Sequence, residues 1–366
     1  VDVGFRDWGL IKRRWEAWWG CGYLDRPVLQ VYAPKRAPDR LDPIKVGRLD
    51  ERGTDPEVRH ADADHIIESA KRRLAETYLG GEALAHCNPG WSVGHAAFCG
   101  CGVRFRDETV WAEPLAGGGE DRYPEYSHDP ENRWWRWFCE FQKEAARRGE
   151  GRYMLLPHLG NPTFDTLAQI RGSTRLMIDI ARDRQLVKAQ MGRLGEIMRG
   201  IYGSQMRAVG EDPSVEGYLN AYGAWSPGTS LGLEADEAVS ISPGDFMDIV
   251  MPDTMAIMGT VEYNMYHVDG VNYVKHLDAL LGVPEIRAIQ WIPGAGHMGL
   301  RQWIPLIRRI QAKRKPVLIY SQAADCVSEV LEAIGGLRPE GLAICVHAGS
   351  EDDAERLIGK VESLFR

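Results

Sequence analysis

The chain has 366 residues, 44% of them hydrophobic, and a formal net charge of −8. That length and apolar content suit one large domain of the barrel class, and the acidic balance argues against nucleic-acid binding, which needs concentrated basic surface. No apolar run is long enough to cross a bilayer, and Val1 to Leu10 mixes polar and aromatic residues where a signal peptide needs an apolar stretch. The 7 cysteines are too sparse for a disulfide scaffold. Free thiols in a reducing cytoplasm are expected. The close pair Cys99-Gly-Cys101 has no matching second pair to complete a metal motif.

In chain order, a helix is predicted over Asp7–Gly20, with Trp15, Trp18 and Trp19 on one face as core. Val28–Tyr32 reads as a short strand. His60–Tyr78 is an amphipathic helix stopped by Gly80-Gly81. His86 to Asp129 is loop-rich and suits an insertion over a barrel mouth. A helix over Arg133–Arg148, a strand over Tyr153–Leu156, a helix start at Thr163–Gln169 and a long helix through Gln185–Val209 follow.

The C-terminal half alternates more plainly. Helices are predicted at 246–259, 273–281, 300–313, 326–334 and 352–364, with strands at 265–268, 286–292, 317–320 and 343–346. Successive β-then-α units imply parallel strands with right-handed crossovers. No Gly-rich phosphate loop follows any strand, so no nucleotide cofactor is expected. The architecture expected is a single (β/α)₈ TIM barrel over residues 1–366, with 1–60 as an N-terminal helical extension and loop insertions over the C-terminal mouth.

In such folds the chemistry lies just beyond the strand C-termini. Alternation places His267 and Asp269 on one side of their strand, where they can share a metal ion or act as an acid–base pair. His347 ends the last strand, with Cys345 on the same face as the alternative ligand. Glu234 and Asp236 are paired carboxylates fit for acid–base work, preceded by Tyr222 and Trp225 as a substrate platform, although Asp236 can equally cap the next helix. Trp291 can wall a ligand site. Asn88, His158, Asn161 and Asp165 follow other strands or loops as weaker candidates.

These residues resemble a family. Ser242-Pro243-Gly244-Asp245-Phe246, Met251-Pro252-Asp253, Tyr266-His267-Val268-Asp269-Gly270 and Val346-His347-Ala348-Gly349 are similar to the second half of the uroporphyrinogen-decarboxylase superfamily. Asp25-Arg26-Pro27-Val28 occupies the place of its first-strand motif, and Asp107 to Trp111 points to a Trp-rich branch. The resemblance implies one of two activities. The decarboxylases bind a polycarboxylate through an arginine-rich loop after the first strand; here that stretch is Gln30 to Arg36, and at most Arg36 survives. The zinc-dependent methyltransferases, which work with corrinoid proteins, carry His-x-Cys-Gly on a late strand; here the positions are His267, Asp269 and Gly270. Asp in place of Cys hardens the site toward oxygen ligands.

The function expected is therefore a metal-dependent methyltransferase-like enzyme, with His267, Asp269 and His347 holding zinc or another divalent metal and Asp236, Glu234 and His347 in catalysis. Tyr222, Trp225, Asn88, His158 and Trp291 would bind the substrate, a small methoxy or methylamine donor, and a corrinoid protein would accept the methyl group. The alternatives are a metal-free decarboxylase or lyase acting on a small carboxylic acid, and a non-catalytic ligand-binding barrel. A monomer or homodimer without nucleic-acid or membrane partners is expected.

Overall fold

The computed structural model describes residues 7–39, 49–51, 53–117, 122–156, 162–210, 216–294, 296–297 and 299–366. Trp8–Trp19 forms a helix, α1, whose N-cap Asp7 accepts the Leu10 N–H at 2.8 Å. β1 (Val28–Pro34), β2 (Thr77–Gly81) and β3 (His86–Cys87) follow, then a hairpin of β4 (Gly102–Phe105) and β5 (Val110–Glu113), then β6 (Met154–Leu155). A second hairpin joins β7 (Tyr218–Leu219) to β8 (Trp225–Ser226). β9 (Ser230–Leu233), β10 (Tyr263–Asp269), β11 (Ala288–Ile292), β12 (Val317–Ser321) and β13 (Leu342–His347) complete the strands.

Seven of these form the central sheet, in the order β2-β1-β13-β12-β11-β10-β9. All neighbours are parallel except β2, which runs antiparallel to β1. β3 and β6 form a separate parallel pair. The fold is thus mixed α/β with a mainly parallel sheet. The stretch 1–60 set apart as an extension also contributes β1, which pairs with both β13 and β2.

Two apolar clusters occupy the two faces of the sheet. Leu29, Val31, Leu231, Leu233, Tyr266, Val268, Ile289, Trp291, Ile319 and Ile344 face the helices. The alternate residues Val28, Met265, Ala288, Leu318, Ala343 and Cys345 face an interior shared with Leu84, Met154, Leu156 and the tryptophans of α1. This period-2 division is what a sheet buried on both faces requires. Trp15 and Trp18 are fully buried and Trp19 nearly so, so the expected aromatic face is core. They meet the N-terminal halves of β1, β10, β11, β12 and β13, and close that end of the interior.

An ion-pair network locks the same end. Glu82 is fully buried and accepts from Arg14 at 2.7 Å, from Arg26 at 2.7 and 2.9 Å, and from the Leu29 N–H at 2.8 Å. Arg14 also donates to Asp25 at 2.8 and 2.6 Å. Both oxygens of a buried carboxylate are thereby matched by charged donors, which offsets the cost of desolvating it.

Candidate functional site

The parallel strands β1 and β9–β13 share one C-terminal edge, and their interior-facing positions there carry the chemistry. β10 delivers His267 and Asp269, and β11 delivers Gln290, paired with His267 in register. Glu234 follows the last residue of β9, and Asp236 opens a 3₁₀ turn, Asp236–Ser240. Glu234, Asp236 and His267 come together: one ligand atom from each lies within 4.8 Å of the other two.

Asp165, in the first turn of the helix Thr163–Arg171, fixes the turn that carries Asp236. Its carboxylate accepts the Asp236 N–H at 2.9 Å and the Glu237 N–H at 3.0 Å. Asp165 therefore acts on the backbone of the neighbouring turn as an N-terminal cap would.

The β7–β8 hairpin enters the interior and presents Tyr222 near its tip. The Tyr320 hydroxyl donates to the Tyr222 carbonyl at 3.1 Å, and the Gln30 amide donates to the Gly223 carbonyl at 2.7 Å, so strands on either side grip the tip. The Tyr222 ring stacks on His267 with centroids 4.8 Å apart and an interplanar angle of 14°, and its hydroxyl donates to Glu234 at 2.6 Å. Gly232 makes this possible, because a Cβ there would lie 2.4 Å from the Tyr222 ring.

Burial raises the Glu234 and Asp236 carboxyls well above their ordinary range; Asp165 adds to the effect on Glu234, and Glu234 to that on Asp236. Asp165 is pushed up to about 7, first by burial and then by Asp236. Asp236 Oδ1 is buried without a hydrogen-bond partner. Two carboxylates and an imidazole, held close and short of positive charge, suit a hard or borderline divalent cation.

The ligand set expected from sequence is only partly assembled. His267 belongs to the cluster, but Asp269 and His347 do not join it among the described residues. Asp269 lies two residues further along β10, a step of about 6.7 Å. His347 lies three strands from β10, about 14 Å along the sheet at ordinary strand spacing. It stacks instead on Tyr32, with centroids 5.4 Å apart, and is exposed. Cys345 faces the interior beside Tyr32 and Tyr320, and burial pushes its thiol up to about 12, far from a ready thiolate.

Two expected substrate residues need correction. Trp291 points into the helix layer and packs against Trp303 at 5.2 Å, because alternation assigns the interior to its neighbour Gln290. Trp225 lies at the base of the hairpin, fully buried against Trp8 at 5.6 Å, with its indole N–H donating to the Glu216 carbonyl at 2.8 Å. It anchors the hairpin rather than lining the site. Asn88 is half-buried, and its side-chain carbonyl accepts the Gly90 N–H at 2.8 Å, within its own turn. His158 and Asn161 lie outside the described residues. Cys99 and Cys101 are both buried, with thiols pushed up to about 12 by burial.

Sequence reasoning passed over Gln290 and, although it named Tyr222, the β7–β8 hairpin that carries it. The signal for Gln290 was its parity on β11; Asn220-Ala221-Tyr222-Gly223 had the composition of a turn between short strands.

Fold and site together define a mixed α/β protein with a mainly parallel sheet and a carboxylate–imidazole cluster at the C-terminal edge of its strands. No family model matches the sequence, and no curated protein does. Among solved structures the chain is similar to a methyltransferase from Methanosarcina mazei, with a TM-score of 0.62 at 12% identity, covering 98% of this chain and 99% of that one. At that identity the two share a fold. No helix among the described residues is long and apolar enough to cross a membrane.

Proposed function

We propose that the chain is a metal-dependent methyltransferase-like enzyme of the uroporphyrinogen-decarboxylase superfamily, with Glu234, Asp236 and His267 as the metal-binding residues. The carrying observation is the convergence of these three side chains, within 4.8 Å of one another, at the C-terminal strand edge. Closure of the sheet into a (β/α)₈ barrel belongs to the same proposal. β3 and β6 would fill the gap between the β1–β2 edge and β9, giving eight parallel strands with β1 and β9 to β13, and β2 would remain an antiparallel addition beside β1. In support, Leu84, Met154 and Leu156 share the interior cluster, and Tyr32 on β1 bonds the Leu84 carbonyl at 3.2 Å.

A divalent cation would supply Lewis-acid activation of the oxygen or nitrogen carrying the methyl group. The chain's own residues do the rest. Tyr222 orients Glu234 and walls one side of His267. Asp165 holds the Asp236 turn. Among the described residues the interior strand positions at this edge, including Tyr32, Gln290, Tyr320, Cys345 and His347, carry no Lys or Arg, so a carboxylate-bearing substrate would find no counter-charge from these side chains. That favours a neutral methoxy or a methylamine donor over a small acid, with a corrinoid protein as the methyl acceptor.

Metal analysis of the purified protein tests the metal. Near-stoichiometric zinc or another divalent ion is expected, lost in His267→Ala; a wild-type protein that neither retains nor takes up metal would exclude it. A second reading rests on the raised carboxyls. Burial raises the Glu234 and Asp236 carboxyls toward neutrality, the direction a metal-free acid–base lyase would need. It predicts turnover that survives chelation, where the metal enzyme predicts its loss.

A further inference from the structure

We infer that Gln290 is a positioning residue that fixes which nitrogen of His267 is free to ligate, an assignment that rests on the metal reading above. Three observations converge. Gln290 is the parallel-register partner of His267 across β10 and β11, so the two side chains rise side by side from the same level of the sheet. Gln290 is 1% exposed, held in place by the strand on which it sits. Its Oε1 meets His267 Nδ1 in a hydrogen bond.

The chemistry follows from the donor inventory. An amide oxygen can only accept, so the hydrogen in this bond sits on Nδ1. A neutral imidazole protonated at Nδ1 carries its lone pair on Nε2. Nδ1 is engaged by Gln290, so Nε2 is the ring nitrogen left for a cation shared with Glu234 and Asp236. Tyr222, stacked on the ring and tied to Glu234 at 2.6 Å, opposes a tilt of the imidazole out of this plane. A hydrogen-bonded partner on the far ring nitrogen fixes tautomer and orientation, and its loss lowers metal affinity by roughly ten- to a hundredfold.

The test uses the full chain, stripped of metal, with its histidines labelled with ¹⁵N. Long-range ¹H–¹⁵N spectra should show His267 protonated at Nδ1 in the wild type. Gln290→Leu, or Gln290→Met if the leucine variant fails to fold, should shift His267 toward the Nε2–H form and weaken Zn²⁺ binding roughly ten- to a hundredfold. Gln290→Glu keeps an acceptor at the same place and should restore both. A wild-type His267 protonated at Nε2, or an unchanged tautomer and Zn²⁺ affinity in the apolar variants, would overturn the assignment. An Nδ1–H tautomer that depends on residue 290, in a protein that binds no Zn²⁺ in any form, would uphold Gln290's hold on the ring and remove the metal reading alone.

Discussion

The two ends of the sheet's interior face are built from the same strands and treat charge in opposite ways. At the N-terminal end, Glu82 is buried but matched by Arg14, Arg26 and a backbone N–H, and tryptophans from α1 fill the space around it. At the C-terminal end, Glu234 and Asp236 are half-buried and no Lys or Arg pairs with either among the described residues; burial, then the neighbouring carboxylates, raises both carboxyls. The first arrangement stabilises the fold. The second costs stability and leaves a charge deficit that a ligand can fill.

The sharpest way to break this contrast is at Glu82. Glu82→Ala leaves buried Arg26 without its carboxylate and takes one of the two carboxylates from Arg14, and should cost about 3–5 kcal/mol, read from the shift of the urea unfolding midpoint. Trp18→Ala should cost a similar amount, about 3–5 kcal/mol, because it opens a cavity at the closed end. A loss of under 1 kcal/mol in either would mean that this end is not the structural anchor described.

The opposite sign is expected at the other end. Burial raises the carboxyl pKa values of Glu234, Asp236 and Asp165, so the folded chain holds protons that the unfolded chain releases. Their unfavourable contribution is absent below the ordinary carboxylate range and grows as pH rises from there to about 7. In chelator, Glu234→Gln should therefore leave stability at pH 5 nearly unchanged and raise it at pH 8. Equal or lower stability at pH 8 would show that the charge is satisfied after all. The smallest effect belongs to a third place. Trp111, 60% exposed on the β4–β5 hairpin, should tolerate Ala within about 0.5 kcal/mol.

Much of the N-terminal end was legible in the sequence. The spacing of Trp15, Trp18 and Trp19 marks a buried helix face, and Asp7 is a plain N-cap signal. The strands from β10 to β13 were legible as apolar runs alternating with helices. β9 and the β7–β8 hairpin were not, because Ser230–Leu233 is short and contains Gly232, and Tyr218 to Ser226 has no sustained alternation. Their loss matters, since β9 leads into Glu234 and Asp236 and the hairpin delivers Tyr222. Strand parity identifies inward residues such as His267 and His347, but not which inward residues meet. That depends on strand order, which puts β9 beside β10 and β13 three places away. Trp291 follows the same parity: it belongs to the helix layer, and its neighbour Gln290 faces the interior.

The central claim is that Glu234, Asp236 and His267 hold a divalent cation while His347 does not. Calorimetric titration of Zn²⁺ into chelator-stripped wild type, His267→Ala, Asp236→Asn and His347→Ala tests it directly. Near one-to-one binding should persist in His347→Ala and weaken by at least about tenfold in the other two variants, a change of about 1.4 kcal/mol or more. Binding lost in His347→Ala and retained in Asp236→Asn would contradict the account and return the site to the set His267, Asp269 and His347.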